Sequence, residues 1–211
     1  MAAVRYLFAI AFVGSLAAQD TFIPAQYRSG AVPPVPDHAV GGGEVILDVS
    51  VNRSGGVSDI KVARSTPPFT DLVSTAIRGW QFQPARGPQP VDSTVLVAAV
   101  FRPPTINTPT QGKPPTDTST MSPEAPFPLT MVTPPYPVHA VDNRLVLVEV
   151  RVGTGGNTSD AKIIGSTSGF DDAALDAARR WTFRPAEVGG ARVTSLAYLM
   201  FGFRRPVTTV H

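Results

Sequence analysis

Residues 144–185 read RLVLVEVRVGTGGNTSDAKIIGSTSGFDDAALDAARRWTFRP. Val146, Val148, Val150 and Val152 alternate with Glu149 and Arg151, the period of a half-buried strand built from β-branched residues. Gly153-Thr154-Gly155-Gly156-Asn157 supplies the positive φ of a hairpin turn, and a second strand follows over 158–164. Asp171 then reads as a helix N-cap, with Phe170 before it stapling onto Leu175. The run from Asp172 to Arg180 has high helix propensity, with acids early and arginines late to match the helix dipole. Trp181-x-Phe183-x-Pro185-Ala186 closes the helix and leads to a last strand at 193–203.

The same text occurs earlier in the chain. Residues 33–86 align without a gap on 134–187 at an offset of 101, with roughly 23 of 54 positions identical. Matched pairs include His38/His139, Asp59/Asp160, Lys61/Lys162, Trp80/Trp181 and Phe82/Phe183. In the first unit Thr70 takes the cap position, and Val73, Ala76, Ile77 and Trp80 form the apolar stripe of the helix. The fold class expected is α+β. It consists of two tandem β-β-α-β domains, each a three-stranded antiparallel sheet with one helix packed on one face. The boundaries read as domain 1 at 33–102, a Pro/Thr-rich linker at 103–133 and domain 2 at 134–205. Residues before 33 look irregular.

The 22 prolines of the 211 residues gather in the linker and in the lead-ins Pro33-Pro34-Val35-Pro36 and Pro134-Pro135-Tyr136-Pro137, where they disfavour helix. A net charge of +2 with no basic run argues against nucleic acid. The N-terminus reads as a signal peptide over 1–17, with Arg5, an apolar core from Tyr6 to Gly14 and the small-x-small site Ser15-Leu16-Ala17. The alternative is an inner-membrane anchor through residues 5–18. Cysteine is absent, which excludes disulfides and a lipidated cysteine at the cleavage site. A periplasmic or secreted location is expected, with membrane contact only if the N-terminal segment stays uncleaved.

With its Tyr136-Pro137 lead-in, hydrophobic strand, glycine turn, Ser-rich approach to the helix and Trp-x-Phe-x-Pro-Ala, the second unit resembles the C-terminal domain of TonB-family proteins. The first unit departs in two places. Val35 stands where that pattern has Tyr, and Thr66-Pro67-Pro68-Phe69 replaces Thr167-Ser168-Gly169-Phe170. The resemblance implies a protein-interaction module of the cell envelope, accessory to TonB-dependent transport, rather than an enzyme. Its partner would be an outer-membrane transporter or another envelope protein. Pairing would be by β-augmentation, in which an open sheet edge accepts a foreign strand. The last strand is the expected edge, so Arg192, Val193, Thr194, Ser195, Leu196, Ala197, Tyr198 and Leu199 are the candidate partner-binding residues, with Tyr136 and Pro137 bordering the groove. A homodimer through sheet edges follows from the same geometry. Two other readings stay open: a tandem envelope scaffold or cell-wall binder without a transport role, and a signal-anchored energy transducer.

Other chemistries have weaker support. Gly153-x-Gly-Gly sits between two strands, not between strand and helix, so a turn explains it better than a phosphate loop. His38 and His139 have no third metal ligand at a sensible spacing. Ser166, His139 and Asp172 lack the setting of a catalytic triad. Neither a metal, a cofactor nor a catalytic residue is therefore assigned. The tryptophans read as core anchors at the helix ends, or as a peptide platform. Asp59 with Lys61, and Asp160 with Lys162, fall on one face of their strands, where a solvated ion pair accounts for them.

Overall fold

The computed structural model describes residues 22–36, 39, 41–87, 89–104, 111–112, 121–165, 167 and 169–206. The signal segment 1–17, His38 and Ser166 lie outside the described residues. In chain order the elements are β1 (Gln26–Ser29), β2 (Gly43–Val51), β3 (Val57–Arg64), α1 (Phe69–Arg78), β4 (Gln81–Gln83), β5 (Ala85–Arg86), β6 (Pro90–Val91) and β7 (Ser93–Phe101). There follow β8 (Gln111–Gly112), β9 (Phe127–Val132), β10 (Arg144–Val152), β11 (Thr158–Gly165), α2 (Asp171–Arg179), β12 (Thr182–Arg184), β13 (Ala186–Val188), β14 (Ala191–Val193) and β15 (Ser195–Phe203).

The chain is α+β, but the two separate three-stranded sheets expected from the repeat do not occur. The long strands form one six-stranded sheet in the order β11-β10-β15-β7-β2-β3. Within each half the ladders are antiparallel, and the halves join through a parallel ladder between β7 and β15. Each half uses its last strand for the junction because that strand is apolar on both faces. All nine residues of β15, and all of β7 except Thr94, are buried.

The junction has a one-residue stagger. Gly43 pairs with Phe101 in the first half and Arg144 with Phe203 in the second, so Phe101 and Phe203 are equivalent. Across the junction, however, Phe101 faces Gly202. Side chains alternate along a strand, so a slip of one residue sends equivalent residues to opposite faces. The two helices therefore lie on opposite faces of the sheet. Val45, Leu47, Val49, Val95 and Val97 pack with Val73, Ile77 and Trp80 on one face. Val146, Val148, Val150, Ala197 and Leu199 pack with Ala174, Ala177 and Trp181 on the other. At the junction Gly202 leaves room for Phe101, whose ring would lie 2.3 Å from an added Cβ. Two buried arginines cross-tie the halves. Arg102 donates to the Pro134 carbonyl at 2.7 Å, and Arg204 donates to Gly41 at 2.6 Å and also to the Ala39 carbonyl.

Two short arms complete the layers. Residues 22–32, expected to be irregular, carry β1, which pairs with β4. Residues 121–133, read from composition as part of the linker, carry β9, which pairs with β12. The indole of Trp80 donates to the Ala31 carbonyl at 2.9 Å, and that of Trp181 to the Val132 carbonyl at 3.0 Å. Both bonds span 49 residues, so the structural repeat begins upstream of the proline lead-ins. Prolines and threonines in 103–133 mask the buried Met121, Phe127, Met131 and Val132.

Local chemistry follows the repeat closely. Thr70 and Asp171 do not cap their helices as expected: neither helix has a side-chain cap bond. They point backward instead, accepting from the amides of Thr66 at 2.8 Å and Thr167 at 2.9 Å, and so pin the loop before the helix. Gly55 and Gly156, in the two hairpin turns, have φ of +87° and +83°. A Cβ there would sit within 2.0 Å of the carbonyl oxygens of Phe82 and Phe183. Gly156→Ala should therefore lower stability by more than about 1 kcal/mol, since both the backbone and the close approach oppose it. An unchanged urea midpoint would contradict this reading of the turn.

Candidate functional site

The expected binding edge is interior. Ser195, Leu196, Ala197, Tyr198 and Leu199 lie in β15, which pairs with β10 on one side; from Ala197 onward β7 occupies the other. From Ala197 onward the main-chain groups are thus engaged on both sides, and Ala197–Leu199 cannot accept a further strand without displacing β7. The sequence does carry a signal for this. SLAYLMFGF and STVLVAAVF are near-continuous apolar runs, the mark of strands covered on both faces, whereas edge strands alternate.

The other candidates scatter. Arg192 and Val193 lie in β14, paired with β13, and Arg192 faces Glu187 at 3.8 Å. Thr194 is exposed between β14 and β15. Tyr136 and Pro137 are half-buried in the lead-in before β10. The Tyr136 ring packs edge-on against Phe170 at 5.8 Å, and its hydroxyl donates to the Asp142 carbonyl at 2.8 Å. These contacts tie Tyr136 to the start of α2 and to the loop before β10.

The strands that do end the six-stranded sheet are β3 and β11. Both mix half-buried and exposed residues, and none of their residues is fully buried. Each carries a bulge near either end, at equivalent positions, leaving Asp59–Val62 and Asp160–Ile163 in regular register. On the face away from the local helix these segments present Asp59 and Lys61, and Asp160 and Lys162. Lys162 bonds Glu149 at 2.7 Å, and Asp160 lies opposite Arg151. Lys61 lies opposite Asp48. At β11 the amide of Ala161 donates to the Asp160 carboxylate at 2.9 Å, so an edge donor is answered by a side chain rather than a strand. Bulges and edge charges are the devices by which sheets limit indiscriminate pairing.

Behind each edge sits a buried carboxylate that holds the opposite arm. Asp48, 4% exposed, accepts the Ser122 amide at 2.7 Å through Oδ2. Its equivalent Glu149 lies beside Tyr198, whose hydroxyl accepts the Tyr27 amide at 2.7 Å and donates to the Ala25 carbonyl at 3.3 Å. Burial raises the Tyr198 pKa far above the usual phenol value, and the charge of Glu149 pushes the same way. Burial likewise raises the Asp48 carboxyl, against the opposing pull of the Ser122 amide, Lys61 and Arg184. A raised carboxyl pKa favours folding with the proton on, and that benefit fades as pH rises through the folded value. Asp48→Asn should therefore flatten the part of the stability–pH curve above the usual aspartate range. Urea midpoints that keep the wild-type slope there would count against Asp48 as its source.

Among the described residues no three potential metal ligands cluster. His139 and Asp172 are both exposed, and no described helix is long and apolar enough to cross a membrane. Gly153 and Asn157 close the hairpin between β10 and β11, with the Gly153 amide donating to the Asn157 carbonyl at 3.0 Å. That turn role answers the glycine-rich motif.

The strand–turn–strand–helix–strand order over 132–204 decides the family. This stretch matches the family model described as Gram-negative bacterial TonB protein C-terminal. The second unit is a TonB C-terminal domain. TonB C-terminal domains are protein-interaction domains of the Gram-negative envelope, and the match covers 132–204 of the 211 residues. No curated protein matches the chain.

Proposed function

We propose that this protein is a periplasmic module accessory to TonB-dependent transport, binding an extended segment of an outer-membrane transporter or another envelope partner by strand addition. Residues 22–102 act in this reading as a second, diverged TonB C-terminal copy. Its support is the repeat itself, together with the equivalent tryptophan, hairpin-glycine and loop-pinning contacts in the two halves. The observation that carries the binding mode is the pair of open margins, β3 and β11, in a sheet whose inner strands are already paired. Strand addition thus moves from 195–199 to these margins, since a new strand needs unpaired N–H and C=O groups.

The test is titration of the full chain with N-terminal peptides of TonB-dependent transporters, followed by amide shifts. Shifts confined to 57–64 or 158–165 are expected, and no binding by any such peptide ends this reading. N-terminal sequencing of the mature protein bears on the anchored-transducer alternative. A start near Ala18 fits a free periplasmic module, and a retained Met1 fits an anchored transducer.

A further inference from the structure

The two margins share more than openness. Within the regular segment of each, an aspartate and a lysine stand two residues apart on one face, with an apolar residue between them turned to the other: Asp59-Ile60-Lys61 and Asp160-Ala161-Lys162. Three of the four rows behind them already alternate in sign, the exception being Asp59, which lies opposite Ser50. Glu149 is followed by Lys162, Arg151 by Asp160, and Asp48 by Lys61. A strand laid against β11 adds the next member of each row. Opposite charges facing each other across a ladder stabilise it and like charges weaken it.

Resting on the strand-addition reading, we propose that both edges select the charge pattern of the strand they recruit. The preferred segment is extended and antiparallel, with an acidic residue, an apolar residue and a basic residue in that order. Its acid meets Lys162 or Lys61, its base meets Asp160 or Asp59, and the residue between them lies over Ala161 or Ile60 toward the helix.

Two features of β11 strengthen this selection. The Ala161 amide is held by Asp160, and a partner carbonyl must replace that bond before the ladder can form. A cation opposite Asp160 draws the carboxylate outward and frees the amide. A neutral or acidic residue there leaves the guard in place. Position 161 also turns its main-chain N–H outward, which makes the flanking 160 and 162 rows the non-hydrogen-bonded pairs of the new ladder, where side chains approach more closely. The aspartate–lysine order fixes direction as well. Antiparallel pairing, the more stable of the two, requires the acid first.

The experiment uses the full chain and three synthetic peptides of equal length and apolar content. They carry acid–apolar–base, acid–apolar–acid or base–apolar–base at the centre. The mixed peptide is expected to bind about fivefold or more tightly than either like-charged one. A nitroxide on its N-terminus should broaden the amides near Ile163–Gly165 rather than those near Thr158. Asp160→Asn should shrink the advantage of the mixed peptide over the doubly acidic one at β11. Equal binding of all three peptides at these margins overturns the charge selection while leaving strand addition standing. Broadening near Thr158 overturns the acid-first order. The absence of any edge binding removes both this inference and the reading beneath it.

Discussion

Trp181→Ala should lower stability by about 4 kcal/mol, the middle of the range for deleting a buried tryptophan. The side chain is 1% exposed and lies among Phe183 and Phe201, with ring centroids 6.1 and 6.0 Å away. It also supplies the bond that holds β9 through the Val132 carbonyl. The carbonyl left unpaired in a buried place accounts for roughly 1–3 kcal/mol of that loss. Against a typical total of about 5–15 kcal/mol, the variant keeps a thin margin. Two readouts separate the contributions. Urea unfolding measures the whole loss, and limited proteolysis across 121–133 reports release of the arm. Trp181→Phe should recover most of the packing but not the arm, giving intermediate stability with early cleavage. If Trp181→Ala unfolds within 1 kcal/mol of wild type, the tryptophan is not the anchor described here.

Separating the halves should have an equally large effect. A chain of residues 121–205 keeps α2 and its own core but loses the parallel ladder to β7. It then exposes Leu147, Leu196, Tyr198 and Met200, all buried against the first half in the whole protein. Four large apolar side chains beside an open strand form a surface that monomeric proteins rarely leave bare. Light scattering on the isolated half should show dimers or larger species, with the last strand pairing to a second copy in place of β7. A stable monomer at high concentration would mean that the junction contributes little. Meanwhile the intact chain should remain monomeric at the same concentration, because its junction is satisfied internally.

Much of each half was legible from local pattern. The alternating valines of β10, the glycines of its hairpin and the alanine-rich α2 all follow from periodicity and turn chemistry. What escaped was non-local. Whether 195–203 ends a sheet or lies within one depends on β7, about a hundred residues earlier, and only the absence of alternation hinted at it. The arm at 121–133 escaped for a different reason. Composition there is dominated by Pro, Thr and Ser, while Met121, Phe127, Met131 and Val132 carry the packing. Asp59, Lys61, Asp160 and Lys162 were recognised as sharing a face, but their significance comes from belonging to the two outermost strands, which no single-strand pattern records.

The parallel junction has a mechanical consequence. Because the halves share a single hydrogen-bonded sheet rather than a hinge, their outer margins cannot swing independently. Five strand spacings of about 4.8 Å set them roughly 24 Å apart. Two tethered guests would gain avidity only where their attachment points span that gauge, and a shorter tether would hold one margin vacant.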